Sequence, residues 1–165
     1  MNILLAIDDS PHSSAALEAV LARPWPEESQ FKVISVVEPF HPEYAGWHTS
    51  YVPLAIEAQK ELLDSTKNLV EKMGESLREQ FGDDNVTHAV LEGYIKDKII
   101  EVAKEWNADL IVMGSHGRRG FTKFLLGSVS EAVVSHAPCS VEIVKLPHPD
   151  HTSKEHVKEL AAKHQ

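Results

Sequence analysis

Five short apolar segments, each containing β-branched residues, alternate along this chain with segments of helical periodicity. Their length and composition predict β-strands. The predicted strands span residues 3–7, 31–37, 86–91, 110–113 and 141–144. The first and fourth segments are apolar at every position, which is typical of strands covered on both faces in a parallel sheet.

Helices are predicted between these strands. Ser10 and Pro11 supply an N-cap residue and a proline at the first helical position, and Gly82 is a stop signal for the longest helix. The resulting order, β-α-β-α-β-α-β-α-β, predicts an α/β fold with an open parallel sheet and helices on both faces. The predicted helices span residues 11–23, 54–81, 95–106 and 128–136.

Two segments fall outside this alternation. Glu38 to Pro53 contains three prolines, Trp47 and two tyrosines, so we expect either a surface loop anchored by its aromatic residues or a flap over the sheet edge. The polar segment 147–165 is expected to be a frayed tail or a loosely docked helix. Residues 1–146 are therefore expected to form one domain.

Composition and charge restrict the class of protein. The chain of 165 residues has 16 basic and 25 acidic side chains and a net charge of −9 with histidine neutral. This excess of negative charge repels polyanions, so we expect no nucleic-acid partner. Apolar runs are all much shorter than the roughly 20 residues of a membrane span, and the N-terminus lacks the basic segment of a signal peptide. We therefore expect no association with a membrane.

The cysteine and histidine residues point to no redox or metal chemistry. The single cysteine, Cys139, cannot form an internal disulfide, so a reducing compartment, the cytoplasm, is the expected location. We expect Cys139 to be a packed residue, because no histidine is placed by sequence to activate it. The ten histidines lack the spacing of a metal site, and we expect them to be exposed.

Candidate functional residues follow the first and fourth strands. Asp8, Asp9 and Ser10 come after strand one, whereas strand four leads into a glycine-rich loop, residues 114–120, and on to Gly127. Ligands of open parallel sheets bind at the carboxyl ends of the strands, where strand order reverses. Glycines let backbone N–H groups approach a phosphate, and a following helix N-terminus favours anions. These features predict an anion site; the alternative is that the glycines only turn the chain.

Two common nucleotide motifs do not fit this loop. A P-loop needs Lys and then Ser or Thr after its last glycine, and neither Gly117 nor Gly120 has them. A dinucleotide fingerprint needs G-x-G-x-x-G after the first strand, whereas these glycines stand at positions 114, 117 and 120 after the fourth.

The loop and its surroundings resemble the universal stress protein family. Gly114-x-x-Gly117, nine further residues and Gly127-Ser128 have the form G-x-x-G-(x)9-G-[ST], which is similar to the nucleotide-binding pattern of that family. The segments ILLAIDDSPHSSAAL, ADLIVMGSHGRRG and LLGSVSEAVVSHAPCSVEIV are similar as well, so the resemblance covers residues 2 to about 146. It implies a Rossmann-like or flavodoxin-like sheet of order 3-2-1-4-5. Because every motif glycine is present, it also implies membership of the ATP-binding branch.

The resemblance implies a set of ATP contacts at the strand ends. Asp8, with Ala6 and Ile7, would contact ribose and adenine, and Val36 would line the adenine pocket. The contacts to ribose and phosphates would come from Met113, Gly114, His116, Gly117, Gly127, Ser128, Val129 and Ser130. Mg²⁺ is a candidate companion of ATP, but the sequence identifies no carboxylate beyond Asp8 that would hold it.

Of the charged side chains near this site, Asp8, Arg118 and Arg119 have two interpretations each. An acidic group at Asp8 suits a ribose hydroxyl, and its alternative role is to cap the following helix. Asp9 is expected to cap that helix. Arg118 and Arg119 are equally consistent with contacts to a γ-phosphate and with simple solvation.

Three functions are compatible with these observations. The leading hypothesis is an ATP-binding regulatory protein of the stress response, with hydrolysis slow at most because no general base is evident. The alternatives are an ATP-using enzyme of the adenine-nucleotide-binding α/β group and a nucleotide-free interaction module. The last strand has an apolar edge that is expected to pair with its counterpart in a homodimer. This strand comprises Val141, Glu142, Ile143 and Val144.

Overall fold

The computed structural model describes residues 1–40, 52–117 and 126–146. Within them, five strands form one parallel sheet in the order β3-β2-β1-β4-β5, which confirms the predicted fold class and strand order. The strands are β1 (Asn2–Ala6), β2 (Gln30–Val37), β3 (Val86–Glu92), β4 (Leu110–Gly114) and β5 (Ser140–Val144). The order places β1 and β4 side by side at the centre, so the ends of these two strands are adjacent.

The helices agree with the predicted ones to within two residues at each end. In the described ranges they are α1 (Pro11–Leu21), α2 (Val52–Phe81), α3 (Ile95–Glu105) and α4 (Ser128–His136). A short 3₁₀ turn, Asp83–Asn85, links α2 to β3. No helix in the described part of the chain is long and apolar enough to cross a membrane.

The sheet separates two apolar clusters, because successive side chains of a strand point to opposite faces. Ile3, Leu5 and Ile7 of the β1 segment pack on one face with residues of α1 and α2. Leu4 and Ala6 pack on the other face with residues of α3 and α4. We call these the α1/α2 cluster and the α3/α4 cluster.

The start of α1 corrects one prediction. Ser10 is the N-cap, since its hydroxyl accepts a hydrogen bond from the N–H of Ser13 at 3.2 Å, and Pro11 follows as predicted. The prediction of Ser10 as the N-cap residue is therefore confirmed, and the prediction that Asp9 caps this helix is wrong. Helix α1 also ends at Leu21 rather than near Arg23, two residues earlier than predicted.

The loop before α2 is shorter at its end than predicted. Helix α2 begins at Val52, so Pro53 lies in its first turn, where a missing N–H costs no intrahelical hydrogen bond. Gly82 ends this helix as predicted, with a φ of 91° that favours glycine. Residues 41–51 of the predicted loop and the predicted tail, 147–165, lie outside the described residues.

Candidate functional site

Three segments of the chain meet at the carboxyl ends of β1 and β4. The hydroxyl of Ser10, before α1, donates to the carbonyl of His116 at 3.3 Å. The N–H of Gly127, at the start of α4, donates to the carbonyl of Ser115 at 2.8 Å. The N–H of Ser115 in turn donates to the carbonyl of Val144 at 2.8 Å. The β1 end, the loop after β4 and the start of α4 thus form one structure, which we call the strand-end site.

Asp8 joins the start of α1 to this loop. Its Oδ1 accepts hydrogen bonds from the N–H of Ser10 at 3.1 Å and from the hydroxyl of Ser13 at 2.7 Å. Asp8 therefore stabilises the turn before α1 through these bonds, although the N-cap residue of the helix is Ser10. Its Oδ2 lies on the side of Gly117, at 2.7 Å from where a Cβ of that glycine would be. The carboxylate therefore has one oxygen in the turn before α1 and one at the loop.

Each motif glycine has a packing reason in the fold itself. A Cβ at Gly114 would lie 2.7 Å from the Cβ of His12 and 2.8 Å from its carbonyl carbon, so this glycine allows α1 to approach β4. A Cβ at Gly117 would meet the Asp8 carboxylate, and one at Gly127 would lie 3.3 Å from the carbonyl oxygen of Ser115. A packing role for these glycines is thus compatible with a role in contacting a ligand.

The start of α4 presents one exposed hydroxyl and one buried hydroxyl. Ser128 is exposed as the first residue of the helix. Ser130 is 3% exposed, and its hydroxyl lies 3.0 Å from the Gly114 carbonyl and 3.2 Å from the Ser115 carbonyl. Its proton is thus directed at the end of β4, and Ser128 is the hydroxyl better placed to face a ligand. Val129 is half-buried and packs against the α3/α4 cluster.

The predicted apolar contacts divide between the two faces of the sheet. Ala6, Val36 and Met113 are all buried in the α3/α4 cluster, at the ends of three neighbouring strands. Ile7 packs in the α1/α2 cluster, so its side chain lies on the face opposite to Ala6, Val36 and Met113. Its backbone is also engaged, since its carbonyl accepts a hydrogen bond from the hydroxyl of Ser35 at 2.8 Å.

His116 contacts a second histidine that the sequence analysis did not single out. The ring centroids of His12 and His116 are 5.3 Å apart and the rings are tilted by 48°. The Nδ1 of His116 lies 3.1 Å from the hydroxyl oxygen of Ser115. In the sequence, the only feature that pointed to His12 as a residue of this site is its position two residues after the N-cap of α1. Arg118 and Arg119 lie outside the described residues.

A small open cleft of about 70 Å³ lies beside the site, on the face covered by α2. Its lining residues are Asp8, Asp9, Ser35, Ser65, Thr66 and Leu69. The lining hydroxyls all donate to backbone carbonyls, those of Ser65 and Thr66 to Leu62 and that of Ser35 to Ile7. Lone pairs and carboxylates therefore face the cleft, which does not suit a phosphate.

Cys139 behaves as a packed residue. It is half-buried against the α3/α4 cluster. Burial raises the pKa of its thiol, and the charge of Asp109 raises it further, because both disfavour the thiolate. Among the described residues, no group of three or more His, Cys, Asp and Glu side chains is arranged to hold a metal ion.

Strand β5 lies at one edge of the sheet, next to β4. Val141 and Ile143 pack against the α3/α4 cluster, whereas Val144 packs against the α1/α2 cluster. Glu142 forms a two-pronged ion pair with Arg23, which raises the pKa of that guanidinium. The side chains of β5 are thus partly covered within one chain, and its outer backbone edge faces away from β4.

Comparison with known proteins connects this arrangement to one family. A profile of the universal stress protein family matches residues 1–145. The chain is 34% identical over 149 residues to universal stress protein MJ0531 of Methanocaldococcus jannaschii, covering 88% of this chain and 82% of that protein. It is 31% identical over 148 residues to universal stress protein Sll1388 of Synechocystis, covering 87% and 96%.

Solved structures share the fold at lower identity. Universal stress protein UspA from Lactobacillus plantarum has a TM-score of 0.73 and 23% identity, covering 87% of this chain and 97% of its own. A universal stress protein in complex with cAMP has a TM-score of 0.59 at 18% identity, with coverages of 88% and 96%. A family protein from Arabidopsis thaliana with AMP bound has a TM-score of 0.53 at 18% identity, with coverages of 93% and 97%.

Proposed function

The chain belongs to the universal stress protein family, and we propose that it is a regulatory protein of the stress response that binds ATP at the strand-end site. One observation carries this proposal. The β1 end, the loop after β4 and the start of α4, which hold the motif residues, are joined by direct hydrogen bonds. Structural neighbours that were solved with cAMP and with AMP bound give independent support for an adenine nucleotide.

The proposed adenine pocket uses the apolar end of the α3/α4 cluster. Ala6, Val36 and Met113 lie there, each less than a tenth exposed. An apolar surface that ends next to polar groups suits a base attached to a ribose, because most ligand pockets combine an apolar lining with a few placed polar groups. The base would therefore sit on the face of the sheet opposite the cleft beside α2.

The ribose and phosphates follow from the polar groups. Asp8 Oδ2 faces the loop and can accept a hydrogen bond from a ribose hydroxyl, whereas it would repel a phosphate. The phosphates would lie at the start of α4, where the helix dipole favours anions and Ser128 exposes its hydroxyl. The glycines at 117 and 127 fit this role, since a Cβ at either position would crowd the loop.

Mg²⁺ would be held mainly by the phosphates. Mg²⁺ keeps several waters and usually takes one or two protein carboxylates together with substrate phosphates. Asp8 has a carboxylate oxygen beside Gly117 of the loop, and its Oδ1 accepts hydrogen bonds from Ser10 and Ser13. The ion would neutralise phosphate charge in a protein whose own net charge is −9.

We also propose that the protein works as a cytoplasmic homodimer through the outer edge of β5. The carbonyl of Val144 accepts from Ser115, so the backbone of Val144 faces β4. The N–H and C=O groups of Val141 and Ile143 then point outward, because successive residues of a strand alternate. An edge of this kind is a template for pairing with another strand. The motif loop bonds to the same strand, which gives a route by which bound nucleotide would influence the dimer.

The nucleotide proposal is tested by calorimetric titration of ATP into the parent and two variants. Asp8→Asn keeps the size of the side chain and an acceptor oxygen, but removes the charge. We expect an affinity loss of about five- to tenfold, since a hydrogen bond to a charged group contributes about 1 to 1.5 kcal/mol more than a hydrogen bond to a neutral one. Asp83→Asn makes the same change of charge in the turn before β3, at the opposite end of the sheet. Equal affinities for all three proteins would remove Asp8 from the site, and absence of binding by the parent would refute the proposal.

A further inference from the structure

Helix α3 begins at a residue that does not suit its position. Tyr94 is the N-cap of α3, with extended backbone angles of −71° and 123°, and its side chain makes no capping hydrogen bond. N-cap positions favour Ser, Thr, Asp and Asn, because a short polar side chain can accept from the first free N–H groups of the helix. The helix alone therefore gives no reason for a tyrosine here.

Packing gives no reason for this tyrosine either. The residue is 69% exposed, more than any other large apolar side chain in the part of the chain that the structure describes. Exceptions to local sequence preferences are expected at functional sites, where stability is not the only requirement. An unsuitable cap that also exposes an aromatic ring fits that description.

The position of Tyr94 is set by the ends of β2 and β3. Gly93, directly before it, has a φ of 145°, and its N–H donates to the carbonyl of Val37 at 3.1 Å. This bond ties the start of α3 to the residue after Val36. On either side of Tyr94, Leu91 and Ile95 pack against the α3/α4 cluster. Tyr94 thus stands at the rim of the cluster that holds Ala6, Val36 and Met113.

We propose that Tyr94 is a base-contacting residue that stacks on the adenine of the bound nucleotide, an inference that rests on the proposed function. Aromatic rings stack on bases with little regard to base identity and contribute substantially to affinity. A ring exposed at the rim of an apolar pocket is free to close over a base that enters it. Tyr94 then distinguishes ligands that carry a base from phosphates that do not.

The test separates this contact from a structural role. Tyr94→Ser removes the ring but supplies a better N-cap, so its thermal midpoint should equal or exceed that of the parent. We expect it to bind ATP about tenfold more weakly. Tyr94→Phe keeps the ring and should bind ATP within about twofold of the parent. Inorganic tripolyphosphate has no base, and its affinity should be the same for all three proteins.

The possible outcomes are distinguishable. If the parent binds ATP and Tyr94→Ser binds it equally well, the stacking role is wrong while the nucleotide proposal stands. If Tyr94→Ser weakens ATP and tripolyphosphate by the same factor, the effect is on the fold of the site, and the stacking role is again wrong. If the parent binds no ATP, both proposals fail together.

Discussion

Two glycine-to-alanine substitutions should change stability in opposite directions. Gly114 ends β4 directly under α1, whereas Gly74 is buried within α2. The Cβ of Gly114→Ala would lie 2.7, 2.8 and 3.0 Å from three atoms of His12, two of them backbone. Carbon atoms pack at about 3.5 to 4.0 Å, so the first turn of α1 must retreat by about 1 Å. That movement would also stretch the 3.3 Å hydrogen bond from Ser10 to His116 beyond its useful length.

The expected cost of Gly114→Ala is about 2 kcal/mol. Overpacking of a dense interior costs about 1 to 3 kcal/mol, and the lost hydrogen bond costs about 1 kcal/mol. The lower backbone entropy of alanine in the unfolded chain offsets about 0.5 to 1 kcal/mol of this loss of stability. For a chain of this size, the midpoint of thermal unfolding should fall by roughly 4 to 8 °C.

Gly74→Ala is the matched control. Its Cβ would lie 3.4 Å from the nearest atom, Nδ1 of His88, which is an ordinary contact. Alanine in a helix interior is favoured over glycine by about 0.5 to 1 kcal/mol, so this variant should be more stable than the parent. Urea unfolding followed by circular dichroism measures both free energies. A Gly114→Ala protein within about 0.5 kcal/mol of the parent would show that α1 does not need this glycine.

Two further predictions concern the last strand and its surroundings. Ile143→Pro removes an N–H that points away from β4, so the monomer should fold while the dimer is lost. Sedimentation equilibrium measures the oligomeric state. An unchanged dimer in the variant, or a monomeric parent, would contradict the proposed interface. Cys139 should be alkylated at neutral pH several-fold more slowly than free cysteine, because its raised pKa leaves less thiolate. The alkylation rate should increase as the pH rises through that raised pKa. A rate equal to that of free cysteine at pH 7 would contradict the prediction.

The parts of the fold that could be predicted from the sequence are those set by neighbouring residues. Helix α4 was predicted with the bounds that the structure has, Ser128–His136, because its glycine start and proline end are local features. The end of α2 at Gly82 was equally local. The main error at helix starts concerned Asp9 and Ser10, two adjacent polar residues that both suit an N-cap. Only the backbone geometry decides between them.

The sequence predicts which segments form the candidate site, but not the contacts that its residues make. Strand ends and glycine spacing predict that the β1 end, the loop after β4 and the start of α4 lie together, because parallel strands carry their carboxyl ends to one edge, and the hydrogen bonds between these segments confirm that they do. The partners of each residue were out of reach, since they depend on contacts across the fold. Gly114 fits against His12, which is distant in sequence, and the hydroxyl of Ser130 bonds to the end of β4. The face on which the Ile7 side chain packs, opposite to that of Ala6, is likewise set by the register of the sheet.

The most direct test of the account is to observe where ATP binds. Amide chemical shifts of the ¹⁵N-labelled protein, recorded during an ATP titration, report each residue separately. We expect the largest changes at the strand-end site, at Asp8, His116 and Gly117 and at the start of α4, with saturation at one nucleotide per chain. Shifts confined to Ser65 and Thr66, in the cleft beside α2, would contradict the proposed site, and an unchanged spectrum at saturating ATP would contradict nucleotide binding itself.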